Sequence, residues 1–156
     1  MKRFGVLLLL TVTACGGGSG AGDKAAKAAY VGKAEAICRV AVTRQKALTP
    51  PGTVDALAPY VDDTVRIAVT ATRDLSALSP PRADKAALQA KFLGPLQAQA
   101  DDAPRYAADV TAASKNNDQA ALGRLALSPP TKPRADLAYL KAYGFTACVD
   151  AADTSN

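Results

Sequence analysis

The chain has no histidine and no tryptophan, one methionine and a single glutamate, Glu35. The missing histidine excludes a His-based triad, a His–zinc site and a His-ligated haem. Aromatic residues make up only 5% of the chain, so the core is expected to be built on small and aliphatic side chains. No run of alternating β-branched residues argues for a strand. What is abundant is alanine, at 35 of 156 positions. Alanine loses no side-chain entropy in a helix, so this composition favours helices. At 49% hydrophobic and 21% charged residues the chain reads as globular, and its length suits one domain.

Lys2 and Arg3 precede a nine-residue apolar run, Phe4 to Val12. The run is too short to span a bilayer and suits the apolar region of a signal peptide over residues 1–14. It leads into Val12-Thr13-Ala14-Cys15, which resembles a bacterial lipobox. Val12 is the apolar residue and Ala14 the small residue before cleavage. The resemblance implies that Cys15 is lipidated and becomes the first residue of the mature chain. The alternative is an ordinary secretory signal with an incidental Cys15. Residues 15–23, with Gly16-Gly17-Gly18-Ser19-Gly20, then read as a flexible tether. Their loose G-x-G-x-x-A pattern lacks the preceding strand that a dinucleotide loop needs. The expected location is the extracytoplasmic face of the cell membrane, with membrane lipid as the first partner. Without Lys2 and Arg3 the net charge falls from +5 to +3, too mild to argue for nucleic acid.

One device organises residues 24–150, the expected domain. Ala47-Leu48-Thr49-Pro50-Pro51 recurs as Ala77-Leu78-Ser79-Pro80-Pro81 and as Ala126-Leu127-Ser128-Pro129-Pro130. The residue before a proline is pushed out of the α region, so each repeat is a corner. Its Leu is expected as the last core residue of the outgoing helix. The second proline is suited to open the next helix. A first helix is expected from about Lys24 to Leu48, with Tyr30, Ala34, Ile37 and Ala41 on its apolar stripe. A second runs from Thr53, as N-cap, to Leu78, with its regular start or a bend at Pro59. A third runs from Pro81 or Arg82 to about Lys115, kinked at Gly94-Pro95 and at Pro104. Asp118 caps a short helix to Leu127. A last helix covers Lys132 to Tyr143 and stops at Gly144. The expected fold is all-α: an up-and-down bundle of about four helices plus a short extra one, with residues 151–156 as a disordered tail.

If Cys15 is lipidated, Cys38 and Cys148 remain as a pair. An extracytoplasmic compartment permits a disulfide, which would tie the first element to the last and close the bundle. Two free buried cysteines are the alternative. Tyr30-Val31-Gly32-Lys33-Ala34-Glu35-Ala36-Ile37-Cys38, the proline corners, and Gly144-Phe145-Thr146-Ala147-Cys148 together resemble a group of small lipoproteins of high-GC, actinobacterial-type bacteria. The resemblance spans about residues 30–148. Its motifs are structural, and it implies no enzyme activity.

Chemistry-bearing constellations are few. The adjacent carboxylates Asp62-Asp63 and Asp101-Asp102 point about 100° apart on a helix, so neither pair converges on one site. Glu35 follows Lys33 and reads as solvated. Ser76, Ser79, Ser114 and Ser128 have no histidine to activate them. No cofactor and no metal are expected. Tyr30, Tyr60, Tyr106 and Tyr139 fall one to each main helix and are candidates to line one cavity, or else core-edge fillers. Three function classes follow. The expected one is a lipid-anchored envelope protein displaying a helical interaction or structural module to another envelope protein. The alternative is a carrier of a small apolar ligand, which a tyrosine-lined cavity would favour. An enzyme is not expected.

Overall fold

The computed structural model describes residues 19–129 and 133–153. The expected signal peptide, Cys15 and residues 154–156 lie outside the described residues. The fold is all-α, with no strand among the described residues. Its elements are α1 (Ser19–Ala47), α2 (Leu57–Ser76), α3 (Lys85–Leu88), a π turn (Gln89–Leu93), α4 (Gly94–Lys115), α5 (Gln119–Ala126), α6 (Leu137–Tyr143) and α7 (Ala147–Asp153). In this helical bundle α2 packs against both α1 and α4, α5 packs against α4, and α7 packs against α1 and α6. No helix among the described residues is long and apolar enough to cross a membrane.

Boundaries at both ends of the described chain differ from expectation. Residues 19–23, inside the stretch read as tether, belong to α1. Adding residues to an existing helix costs far less than nucleating one, and Ala21, Ala25 and Ala26 carry the helix backward. Residues 151–153 are not tail but the end of α7, where Ala151 packs against the core.

Each proline corner ends a helix, at Ala47, Ser76 and Ala126. The second proline does not open the next helix at the first two corners. After Pro51, Ala56 N–H bonds Thr53 O and Leu57 N–H bonds Val54 O, a separate turn. Thr53 is therefore not the N-cap; Ala56 is, with no side-chain cap. Pro59 sets the start of α2, because it falls in the first turn, where a missing N–H removes no helical bond. The corner leucines also differ: Leu78 packs against the core, while Leu127 is 86% exposed. Asp118 caps α5 as expected, accepting from Ala121 N–H at 2.9 Å. Gly144 stops α6 at φ 111°, a left-handed conformation that glycine adopts without strain. The last helix starts at Leu137 rather than Lys132, because Asp136 caps it by accepting from Tyr139 N–H.

Gly94-Pro95 produces a π turn, and the reason is local. Proline lacks the N–H that would bond Lys91 O, and its ring crowds that carbonyl. The helix widens by one residue, so Gly94 N–H bonds Gln89 O. A Cβ at Gly94 would sit 2.7 Å from Gln89 O, so glycine is required there. The freed Lys91 O accepts instead from Asp136 N–H at 2.8 Å, which fastens the start of α6 to the π turn. Pro104, by contrast, is carried inside α4.

The main buried cluster lies where α1, α3, the π turn, α6 and α7 meet. It holds Tyr30, Ala34, Cys38, Leu75, Leu88, Phe92, Leu93, Leu140, Tyr143, Phe145, Cys148 and Val149. A smaller cluster of Val110, Ala113 and Leu122 joins α4 to α5.

Candidate functional site

The α1–α7 junction is built from residues one helical turn apart. Cys38 and Cys148 form the expected disulfide, with Cα atoms 4.9 Å apart and both residues buried. One turn earlier on α1, Glu35 is 6% exposed. Its Oε1 accepts from Thr146 N–H at 2.9 Å and Cys148 N–H at 3.1 Å. Its Oε2 accepts from Ala147 N–H at 3.0 Å and the Thr146 hydroxyl at 2.8 Å. The carboxylate thus occupies the N-terminus of α7, where unpaired N–H groups favour negative charge. Burial alone would raise the Glu35 carboxyl. The donors from Ala147, Thr146 and Cys148 outweigh it and hold the group below the usual carboxylate range. Glu35 is therefore not the solvated residue its neighbour Lys33 suggests.

Beside this junction lies an aromatic group. Phe145 packs on Phe92 at 5.2 Å, on Tyr143 at 5.3 Å and edge-on to Tyr30 at 6.3 Å. The Tyr143 hydroxyl donates to Asp84 Oδ2 at 2.7 Å, and Lys27 Nζ lies 4.1 Å from its ring centre. Burial, with the facing Asp84 carboxylate, pushes the Tyr143 hydroxyl far above its usual range. The buried Tyr30 hydroxyl has no partner among the described residues.

A cavity of about 490 Å³ opens between α1, α2, α4 and α7. Four alanines, Ala68, Ala71, Ala100 and Ala103, leave the space that larger side chains would fill. Val42, Val61, Val65, Leu75, Phe92, Leu96 and the disulfide complete the apolar wall. Thr64, Gln45, Gln99 and Arg134 add polar groups, and the Thr64 hydroxyl is buried without a partner among the described residues. This volume falls within the roughly 300–1,000 Å³ typical of small-molecule sites.

The structure brings two of the four candidate tyrosines to this cavity. Tyr60 and Tyr106 line it, and the Tyr106 hydroxyl reaches Leu125 O at 3.4 Å. Tyr30 and Tyr139 do not line it. Tyr30 sits in the core against Phe145, and Tyr139 packs on Tyr143 at 5.6 Å. The carboxylate pairs are on the surface, where Asp63 pairs with Arg66 and Asp102 with Arg105. Among the described residues no three Cys, Asp or Glu side chains cluster as metal ligands would. Comparison with protein-family models, curated proteins and solved structures finds no match to this chain.

Proposed function

We propose that this chain is a lipid-anchored envelope protein whose helical domain binds a small apolar ligand. The observation that carries the binding half is the cavity of about 490 Å³, apolar over most of its wall and lined by Tyr60 and Tyr106. The anchor half rests on the order of charged start, apolar run and Val12-Thr13-Ala14-Cys15. The Cys38–Cys148 disulfide supports a compartment outside the reducing cytoplasm. Acyl chains on Cys15 would hold the domain at the extracytoplasmic face of the membrane.

Binding is tested with the full chain and the apolar fluorophore N-phenyl-1-naphthylamine. Saturable fluorescence at one site per chain is expected, and its loss in Ala100→Phe, which fills the wall. Unsaturable fluorescence, or binding unchanged in a folded Ala100→Phe, overturns the reading. A display module for another envelope protein is the second reading. One surface feature favours it: Val40 is 51% exposed beside Ile37 and Ile67, in a shallow groove between α1 and α2.

A further inference from the structure

We propose that the ligand is an amphiphile with a hydrocarbon chain and an anionic head, the chain lying along α2 and the head held by Arg134. This rests on the cavity being a ligand site, and adds the class of ligand.

The shape argues for a chain. On α2 the lining runs from Tyr60 to Leu75, about 22 Å of helix at 1.5 Å per residue. Val61, Val65, Ala68, Ala71 and Leu75 of α2 line that length together with Leu96, Ala100 and Ala103 of α4, so the wall is apolar along it. A hydrocarbon chain can keep carbon–carbon contacts of about 3.5–4.0 Å with this wall along its whole length. A compact ring system would leave most of its length empty.

The charge argues for the head. Among the described residues Arg134 is the one charged residue of the lining, and no Asp or Glu lines the cavity. Its side chain is exposed and forms no ion pair with the described residues. Its backbone is fixed on both sides. Gln99 Nε2 donates to Pro133 O at 2.6 Å, and Asp136 N–H donates to Lys91 O at 2.8 Å. The segment carrying Arg134 is thereby held against α4 and the π turn, at the opening. A guanidinium offers two parallel N–H donors to a carboxylate or phosphate. An anion at this exposed position keeps its charge in water while its chain is buried, so no charge is desolvated without a partner.

The test uses the full chain in phosphatidylcholine nanodiscs and hexadecanoate bearing a terminal diazirine. After irradiation, label is expected on peptides of α2 or α4. Competition by unlabelled hexadecanoate, hexadecyl phosphate and hexadecanol then separates head from chain. Either anion should compete about tenfold better than the alcohol, the worth of one charge-assisted hydrogen bond. Which anion competes more strongly tells a carboxylate from a phosphate source, and either preference supports the proposal. Arg134→Ala, an exposed change, should erase the anion preference and leave hexadecanol unchanged. If hexadecanol competes equally and Arg134→Ala changes nothing, the anionic head is refuted while the cavity stands as a ligand site. If α2 and α4 carry no label, both readings fall.

Discussion

Removing the Glu35 carboxylate should unfasten α7 from α1. Four donors converge on it, three of them backbone N–H groups of the chain entering α7. In Glu35→Ala these lose their acceptor. Hydrogen bonds to charged groups contribute about 1.5–3 kcal/mol each, but water can replace the partner where the donor is accessible. Thr146 is exposed and Ala147 half-buried, whereas Cys148 is buried. One full loss and partial losses elsewhere give about 3 kcal/mol. A domain of this size shifts by about 4 °C per kcal/mol, so the melting temperature should fall by about 12 °C. Glu35→Gln keeps one acceptor oxygen and should lose about half as much.

The same carboxylate gives the experiment a sign. Its folded-state pKa lies below the ordinary value of 4.5. A depressed carboxylate stabilises the fold above its unfolded pKa and loses that contribution as pH falls through the folded one. The gap in stability between wild type and Glu35→Gln should therefore be full at pH 7 and shrink below about pH 4.5. Urea or thermal unfolding by circular dichroism at a series of pH values reads it directly. Equal stability of the two proteins at pH 7, or a gap constant down to pH 2, would refute the reasoning.

Other predictions follow from single contacts. The disulfide spans 110 residues, and chain-entropy estimates for a loop near that length are about 4–5 kcal/mol. Cys38→Ala/Cys148→Ala should keep its helical circular dichroism when cold and melt well below wild type; an unchanged melting temperature would count against the staple. Gly94→Ala should destabilise by about 1–3 kcal/mol, because its Cβ meets Gln89 O at 2.7 Å. Gly32→Ala, with nothing within 4 Å in mid-α1, should stabilise by about 0.5–1 kcal/mol. Denaturation midpoints showing the same sign for both glycines would sink the π-turn argument. Cys15→Ser should release the protein from the membrane fraction or leave it unprocessed, and an intact mass showing a mature chain with unmodified Cys15 would end the anchor reading.

Features written in local chemistry were legible in the sequence. Asp118 and Gly144 mark helix ends because a cap needs only a short side chain or a left-handed residue at one position. The proline corners end helices because the restriction acts on the preceding residue alone. The cysteine pairing followed from the count and from the compartment expected for the chain. What was not legible depends on residues far apart. Glu35 looks solvated beside Lys33, and its partners lie 111–113 residues away. The one available signal was register: Glu35 precedes Cys38 by one turn, and Thr146 precedes Cys148 by two residues, so the cystine brings them together. Helix α7 has seven residues and could not persist alone. Its position depends on packing and on a cap supplied by another helix. One tyrosine per helix said nothing about which face each occupies, so Tyr60 and Tyr106 reached the cavity while Tyr30 and Tyr139 did not.

The cavity and the fastenings have one origin in the alanine content. Small side chains let α1, α2 and α4 approach, but at Ala68, Ala71, Ala100 and Ala103 they leave the space between them unfilled. Emptied cores lose about 24 cal/mol per Å³, so a closed void of about 490 Å³ would cost about 12 kcal/mol, as much as a whole domain's stability. This cavity avoids the full cost by opening to solvent beside exposed Ala68 and Arg134. What remains must be offset outside it. The disulfide, the Glu35 cap and the Lys91–Asp136 fastening all lie at the end where α7 and α6 return to α1 and the π turn, and the rings of Phe92, Tyr143 and Phe145 pack there too. A core filled by large side chains would need fewer such fastenings and would have no room for a ligand.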